Sequence, residues 1–408
     1  MCSPSRASLL TSRYGSEVGI TDWINHDWNQ ALAPLEPHLG LDTSYTTWPE
    51  LFAQAGYATA LIGKWHLGRD PKYHPKQHGY QVFQGFLGGG TSVKNPTLQI
   101  NGQDSLFSGL TTDILTDLAL RYLDQERNQP FLLSLHYRAP HAPWRPLRDK
   151  DFAAYQSLAV DFPHSDYPKL DTAELTRKSR EYFGSISSVD RSVKRILQKL
   201  KEKGLASNTL ILFTSDHGYN MGHNGIWHKG NGHWILTESP PATENIPQGQ
   251  RPNMYDHSLK VPAIIAWPGI ILPNRVIKET LTMLDWYPTL LALANIPQPP
   301  QLKIRGRDFS PLLMGKTLAN WDNDFYGEYS THQQSRTHMR TYRTPEWKLT
   351  MDYRNPERSE LYDLKRDPEE TTNLYPNEKY RSIRQELEKK IRQKMQNLGD
   401  RVLSTADK

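Results

Sequence analysis

The 408-residue chain has one cysteine, Cys2, and residues that bind anions follow it: Ser3, Ser5, Arg6, Thr11 and Arg13 all lie within CSPSRASLLTSR. Ser3 is a favourable helix N-cap and Pro4 suits a first turn. Residue 2 is therefore expected beside unpaired backbone N–H groups, where negative charge is favoured. The plain alternative is a buried cysteine packing as a small hydrophobe. In GKWHLG, Lys64 and His66 are alternate residues of an extended segment, so both side chains can face one site. His141 in RAPHAPW titrates near neutrality and can hand a proton to a departing alkoxide. Asp216 and His217 stand together in TSDHG. The histidines His217, His223, His228 and His233 raise the idea of a zinc site, but their spacing of five and six residues through a glycine-rich loop matches no compact zinc motif.

Elements must bring these groups together. From residue 45 to about 295 the chain alternates helical and strand patterns, which predicts an α/β sheet with helices on its faces. Thr47 and Glu50 form a capping box around Pro49, opening a short helix that Gly56 ends, and YATALIG follows as a buried strand. Ile114, Leu115, Leu118, Ala119 and Tyr122 predict a helix within 111–129, with PFLLSLHY as the next strand. A long helix carries Phe183, Ile186, Val189, Val193, Ile196, Leu197 and Leu200 before Gly204; NTLILFTSDHG and KVPAIIAW then read as strands, and a helix spans about 285–295. Lys64 with His66, His141, and Asp216 with His217 each come just after a predicted strand. Ligands of open α/β sheets bind outside the carboxyl ends of the strands, so these three loops are expected to converge. His136 falls within its strand and reads as a core or supporting residue. Past residue 296, IPQPPQ leads into segments that predict a small antiparallel sheet, and Tyr380, Ile383, Leu387, Ile391 and Met395 predict an amphipathic helix packed on it.

The stretch CSPSRASLLTSR resembles the signature of the type I sulfatase family, matching at Cys2, Pro4, Ser5, Arg6, Leu10, Thr11 and Arg13. GKWHLG, RAPHAPW, TSDHG and ELYDLKRDPEETTNL are similar to further family segments, so the resemblance covers nearly the whole chain. It implies an alkaline-phosphatase-like mixed sheet flanked by helices (residues 1–318) and a smaller C-terminal α+β subdomain (319–408). It further implies that a formylglycine-generating or anaerobic sulfatase-maturating enzyme oxidises Cys2 to formylglycine, whose hydrate attacks a sulfate ester. In that scheme Arg6 and Lys64 hold the hydrate, Lys229 neutralises the sulfuryl oxygens, His141 protonates the leaving alcohol, and His66 assists expulsion of sulfate. Asp216, His217 and the modified Cys2 would ligate Ca2+ (or Mg2+). Family members place a strand with an aspartate pair ahead of the cysteine, and those aspartates supply further metal ligands; here Met1 precedes Cys2 directly, so the chain reads as lacking that strand. Calcium takes six to eight oxygens, which Asp216 alone cannot supply. The expected substrate is a sulfated small molecule or glycan. The alternatives are a phosphoester or phosphonate hydrolase of the same superfamily, or a non-catalytic binder of sulfated glycans.

With 23% charged residues and no apolar run near the roughly 20 residues that span a bilayer, no membrane segment is expected. No nucleic-acid partner is expected either. A net charge of +5 favours anionic substrates only weakly. A single cysteine cannot form an internal disulfide and does not fix the compartment; a full-length parent is expected in the periplasm or outside the cell.

Overall fold

The computed structural model describes residues 1–25 and 39–403. Its main sheet has five strands in the order β4-β3-β2-β1-β5: Ala58–Lys64 (β1), Val82–Phe86 (β2), Thr97–Ile100 (β3), Gln103–Leu106 (β4) and Phe131–His136 (β5). β1 runs parallel to β2 and β5, while β3 and β4 return antiparallel at the edge. Because β1 is central it is buried along nearly its whole length, which is why YATALIG is apolar without alternation. At its end Gly63 adopts φ 114°, and a Cβ there would lie 1.9 Å from the His136 carbonyl oxygen, so only glycine lets β1 and β5 close beside Lys64.

Helices Cys2–Thr11 (α1), Gly15–Val18 (α2), Trp48–Gln54 (α3), Trp286–Leu293 (α8) and Ser310–Leu313 (α9) cover one face. Ala7, Leu10, Phe52, Leu61, Trp65, Trp286, Leu291 and Phe309 form its core. The capping box at α3 is present, with the Glu50 carboxylate accepting from the Thr47 N–H at 3.0 Å. The opposite face is covered by Thr111–Asp124 (α4), whose Ile114, Leu115, Leu118 and Ala119 pack on Ala60 and Ile62. Outside it lies Thr172–Glu202 (α6), eleven residues longer at its start than its apolar stripe because the polar first turn is capped by Asp171. Arg191 of α6 ties Asp113 of α4 to Asp151 of the short helix Asp149–Phe152 (α5).

Ile211–Thr214 (β6) departs from a simple continuation of the sheet. It pairs antiparallel with Ala263–Ala266 (β10) and has no ladder to β5. Between β5 and β6 lies a cavity of about 1550 Å3, walled by both strands and by α6, into which Ile186, Leu197 and Phe213 remain partly exposed. A small meander follows, Asn220–Met221 (β7), Ile226–His228 (β8) and His233–Trp234 (β9), and then the single-turn helix Asp256–Leu259 (α7). The C-terminal part is the expected antiparallel sheet with one helix. Phe325–Thr331 (β11), Thr337–Arg343 (β12), Trp347–Asp352 (β13) and Glu360–Asp363 (β14) pair in sequence order, and Arg381–Leu398 (α10) buries Leu387, Ile391 and Met395 against Tyr326, Leu349 and Leu361. Among the described residues no helix is long and apolar enough to cross a membrane.

Candidate active site

Cys2 is the first residue of α1 and is 1% exposed. The helix thus starts two residues earlier than the sequence suggests. Met1, not Ser3, is the N-cap, because the Ser3 hydroxyl is taken by a longer-range bond, accepting from the Ile24 N–H at 3.1 Å. Cys2 therefore sits inside the first helical turn, whose N–H groups lack intrahelical partners.

The loops after β1, β5 and β6 converge on it. Lys229, on the loop after β8, donates to the Cys2 Sγ at 3.2 Å and to the His141 Nε2 at 2.9 Å. His217 approaches from the end of β6 with its Nε2 3.3 Å from Sγ. Its Nδ1 faces the Gly218 carbonyl at 2.8 Å, an acceptor only, so that nitrogen carries a proton, while Nε2 lies between the Cys2 sulfur and the Asp216 carboxylate, 3.5 Å away. Burial alone would raise the Cys2 thiol, but Lys229, Lys64 and His217 together outweigh it and hold the thiol well below its ordinary value. Lys64, the last residue of β1, is buried, and desolvation lowers its pKa against the opposing pull of Cys2 and Asp216.

Arg6, one turn along α1, spends its guanidinium on the frame. It donates to the carbonyls of Trp65 at 2.8 Å and Lys64 at 2.6 Å, to His136 Nδ1 at 2.6 Å, and to Asp216 at 3.2 Å. His136, read from the sequence as supporting, is thus an acceptor for Arg6; burial first, then Arg6, pushes its pKa down to about 3 and keeps it neutral. Burial would raise the Asp216 carboxyl, yet His217, Lys64 and Arg6 hold it below the carboxylate range. His66 lies at φ 61° and donates from Nε2 to the Ile24 carbonyl at 2.9 Å, which leaves the Nδ1 lone pair buried without a hydrogen bond. Burial, with Lys64, pushes this ring down to about 4, against Cys2. His141 is fixed by its Nδ1 on the Ala142 carbonyl at 2.6 Å and by Arg138, which donates to its carbonyl at 2.7 Å; Lys229 and then burial hold it well below 6.5. As arranged here it is neutral and presents a lone pair to Lys229.

All eight residues singled out from the sequence, Cys2, Arg6, Lys64, His66, His141, Asp216, His217 and Lys229, therefore meet in one site. Sequence reasoning missed the wall beyond the Lys229–His141 pair, where Trp144, Tyr182, Tyr219 and Trp227 gather. Tyr182 and Tyr219 stack at 5.3 Å, and the Lys178 ammonium stands 3.5 Å from the Trp227 ring centre. The density of histidine and tryptophan in GHNGIWHKGN was its only local signal.

For a divalent cation, the donors gathered are the Cys2 sulfur, a His217 nitrogen and an Asp216 oxygen, all within 4.8 Å of one another. Calcium and magnesium take oxygen ligands, six or more for calcium. Among the described residues there is one carboxylate here, already engaged by Arg6 and facing Lys64. These residues alone do not fit Ca2+ or Mg2+.

Residues 1–296 match the sulfatase family, and residues 250–397 match the C-terminal region described as N-sulphoglucosamine sulphohydrolase, C-terminal. The chain belongs to the sulfatase family. It is 25% identical to the N-acetylglucosamine-6-O-sulfatase of Bacteroides thetaiotaomicron, over 95% of this chain and 76% of that protein. It is 30% identical to arylsulfatase G of Mus musculus, over 82% of this chain and 65% of the relative. Against most of these relatives it spans about half to two-thirds of their length. The fold is the alkaline-phosphatase-like α/β fold. BT4656, solved in complex with its substrate D-glucosamine-2-N,6-O-disulfate, superimposes with a TM-score of 0.77 at 23% identity, covering 98% of this chain and 89% of that one. A phosphonate monoester hydrolase from Silicibacter pomeroyi superimposes with a TM-score of 0.69 at 20% identity, covering 99% and 87%.

Proposed function

We propose that this chain, once Cys2 is converted to formylglycine by a maturating enzyme, hydrolyses a sulfate ester of a carbohydrate to an alcohol and inorganic sulfate. The observation that carries this reading is Cys2 in the first turn of α1 with Lys229 at 3.2 Å and His217 at 3.3 Å. Formylglycine supplies an aldehyde whose hydrate is a nucleophile. The rest of the chemistry belongs to the surrounding side chains. Lys229 and Lys64 neutralise the sulfuryl oxygens, buried where water cannot screen them. A sulfate ester entering between Lys229 and His141 offsets the ammonium that keeps His141 neutral, so the imidazole can bind a proton and pass it to the leaving oxygen. His66 offers Nδ1 as a base beside residue 2. Arg6 holds the ends of β1 and β5 and the Asp216 carboxylate in register. The aromatic wall with Lys178 suits a sulfated sugar, which stacks its ring and pairs its charge. Residues 1–318 would form the catalytic part and 319–408 the subdomain closing it. A catalytic cation beside Asp216 and His217 would require oxygen ligands in addition to the Asp216 carboxylate.

One observation favours a second reading, a non-catalytic binder of sulfated glycans: the site pairs a single carboxylate with three cationic side chains. Co-expression with a maturating enzyme, peptide mass spectrometry of residue 2 and assay of sulfate release separate the two. Conversion of the Cys2 –CH2SH to –CHO with sulfate release, abolished in Cys2→Ala, supports the hydrolase. Turnover surviving in Cys2→Ala overturns the mechanism, and conversion without turnover of any sulfated saccharide supports the binder. Faster cleavage of phosphonate monoesters than of sulfate esters would reassign the substrate.

A further inference from the structure

Three of the four histidines singled out in the loop after β6 have places in or beside the site: His217 on Cys2, His228 with its ring centre 6.0 Å from that of His141, and His233 against Trp227. His223 does not. It turns away in the single turn His223–Gly225 and stacks on His257 of α7, ring centres 3.3 Å apart and planes 25° from parallel. His257 Nε2 is 2.8 Å from the Glu369 carboxylate, which comes from the segment after β14. One nitrogen from each histidine and one Glu369 oxygen all lie within 4.8 Å of one another. The His223 Nδ1 is buried without a hydrogen-bond partner. Two imidazoles face to face with an unsatisfied nitrogen are a costly way to fill space, because a buried polar atom without a partner loses its solvation for nothing.

We propose that His223, His257 and Glu369 bind a zinc ion, at a site separate from the candidate active site, that clasps the C-terminal segment to the layer behind His217. Two imidazoles and a carboxylate are a three-ligand zinc set with one position left for water; calcium and magnesium would not choose two nitrogens. Zinc–nitrogen bonds of about 2.0–2.1 Å place tetrahedral donors about 3.4 Å apart, and because the in-plane lone pairs of stacked rings run nearly parallel, the two imidazoles must turn out of their stack to converge on the ion. Burial, with His257 and His164, pushes His223 down to about 3, so the ring offers a lone pair rather than a proton. His164 is beside it, ring centres 6.1 Å apart, but its Nδ1 already accepts from the Asn224 N–H at 3.0 Å, which makes it a neighbour and not a ligand.

The location gives the site a consequence. The Gly218 N–H donates to the Ser258 carbonyl at 3.0 Å, and a Cβ at Gly218 would meet the His257 carbonyl oxygen at 2.2 Å. α7 is thus the backing of the His217–Gly218 backbone. Through Glu369 the ion would join that backing to the C-terminal segment, alongside the buried ion pairs of Lys348 with Asp256 and Glu370.

The test uses the whole chain, freed of metal by chelator and dialysis, and titrated with zinc chloride alone by calorimetry. A parallel titration with Co2+ reads the ligand type from the visible spectrum. Cys2→Ala removes the only thiolate, and His223→Gln and Glu369→Gln each remove a proposed ligand. The expected result is one zinc bound by Cys2→Ala with a raised Tm, visible cobalt bands without a thiolate charge-transfer band, and affinity weakened in His223→Gln. That loss should exceed the about 10- to 100-fold typical of losing an outer-shell partner. Glu369→Gln, at a partly exposed carboxylate, keeps the test decisive if His223→Gln fails to fold. Zinc lost in Cys2→Ala but kept in both other variants would overturn the proposal, as would folded wild-type chain that binds none. Because the readout is metal binding, it stands or falls independently of sulfate hydrolysis.

Discussion

Lys229 is the residue whose replacement tests the site most sharply. In Lys229→Met the side chain keeps its length and loses its charge, so packing next to a buried residue is preserved while two contacts vanish, to Cys2 at 3.2 Å and to His141 at 2.9 Å. A unit charge at 3.2 Å interacts with a partner by about 5 kcal/mol at an effective dielectric near 20, which bounds what the ammonium can contribute. Measured losses of one preorganised donor to a developing anion are smaller, about 100- to 1,000-fold in kcat or about 2.7–4 kcal/mol, since part of the attraction already acts on bound substrate. Matured protein assayed on a sulfated sugar should fall in that range and show a higher KM. The pH profile gives a second signature. Lys229 is the largest cause depressing His141, so the variant's His141 pKa rises, and the alkaline limb of kcat, where the protonated imidazole is lost, moves to higher pH. A kcat within threefold of wild type, with an unmoved alkaline limb, would remove Lys229 from the sulfuryl group and His141 from the leaving oxygen.

Three further expectations concern stability. Arg340 and Asp400, 1% and 2% exposed at their side chains, pair through two hydrogen bonds of 2.6 and 3.1 Å, so Arg340→Met should cost about 3–5 kcal/mol in urea unfolding, and Arg340→Met with Asp400→Leu should recover much of it. Gly63→Ala forces a Cβ to 1.9 Å from the His136 carbonyl oxygen at φ 114°, and should destabilise by at least about 3 kcal/mol; a wild-type midpoint would refute the close approach of β1 and β5. His66 has a folded pKa of about 4 against an ordinary 6.5, so the unfolded chain binds its proton first as pH falls. Its contribution is full above pH 6.5 and is lost as pH drops toward 4, by about 2 kcal/mol between pH 7 and pH 5, and His66→Gln should show a correspondingly shallower decline in urea midpoints over that interval.

The convergence of Lys64, His66, His141, Asp216 and His217 was readable because each follows a strand whose apolar run stands out against helical periodicity. For β1 and β5 the parallel direction then dictates which end their loops share, whereas β6 stands outside that sheet and its Asp216 is tied to the site by Arg6. Where reading stopped, a tertiary partner had claimed a group that local rules assign elsewhere. Ser3 suits a cap, yet its hydroxyl answers Ile24, twenty-one residues away. Arg6 stands four residues from Cys2, and the distant partners it also binds, the Trp65 and Lys64 carbonyls, His136 and Asp216, could not be read from its local motif.

The same reasoning applies to the histidines that follow β6. A run of four histidines within seventeen residues invites the idea of one metal centre, but β7, β8 and β9 reverse the chain twice and turn His223 away from the other three. His217 and His228 go to the candidate active site, and His223 goes to α7. The partners of His223, His257 and Glu369, lie 34 and 146 residues further along, a distance over which no local motif can signal them. A ligand set assembled across that separation constrains the fold more than a compact motif would, because closing it fixes two distant segments at once. If the zinc site binds as argued, its contribution should therefore appear chiefly in the docking of 364–370 onto α7. Hydrogen exchange at the amides of that segment, slowed by zinc in the wild type and indifferent to zinc in Glu369→Gln, would locate the effect there. Equal slowing across the main sheet would instead assign the stabilisation to a metal at Asp216 and His217.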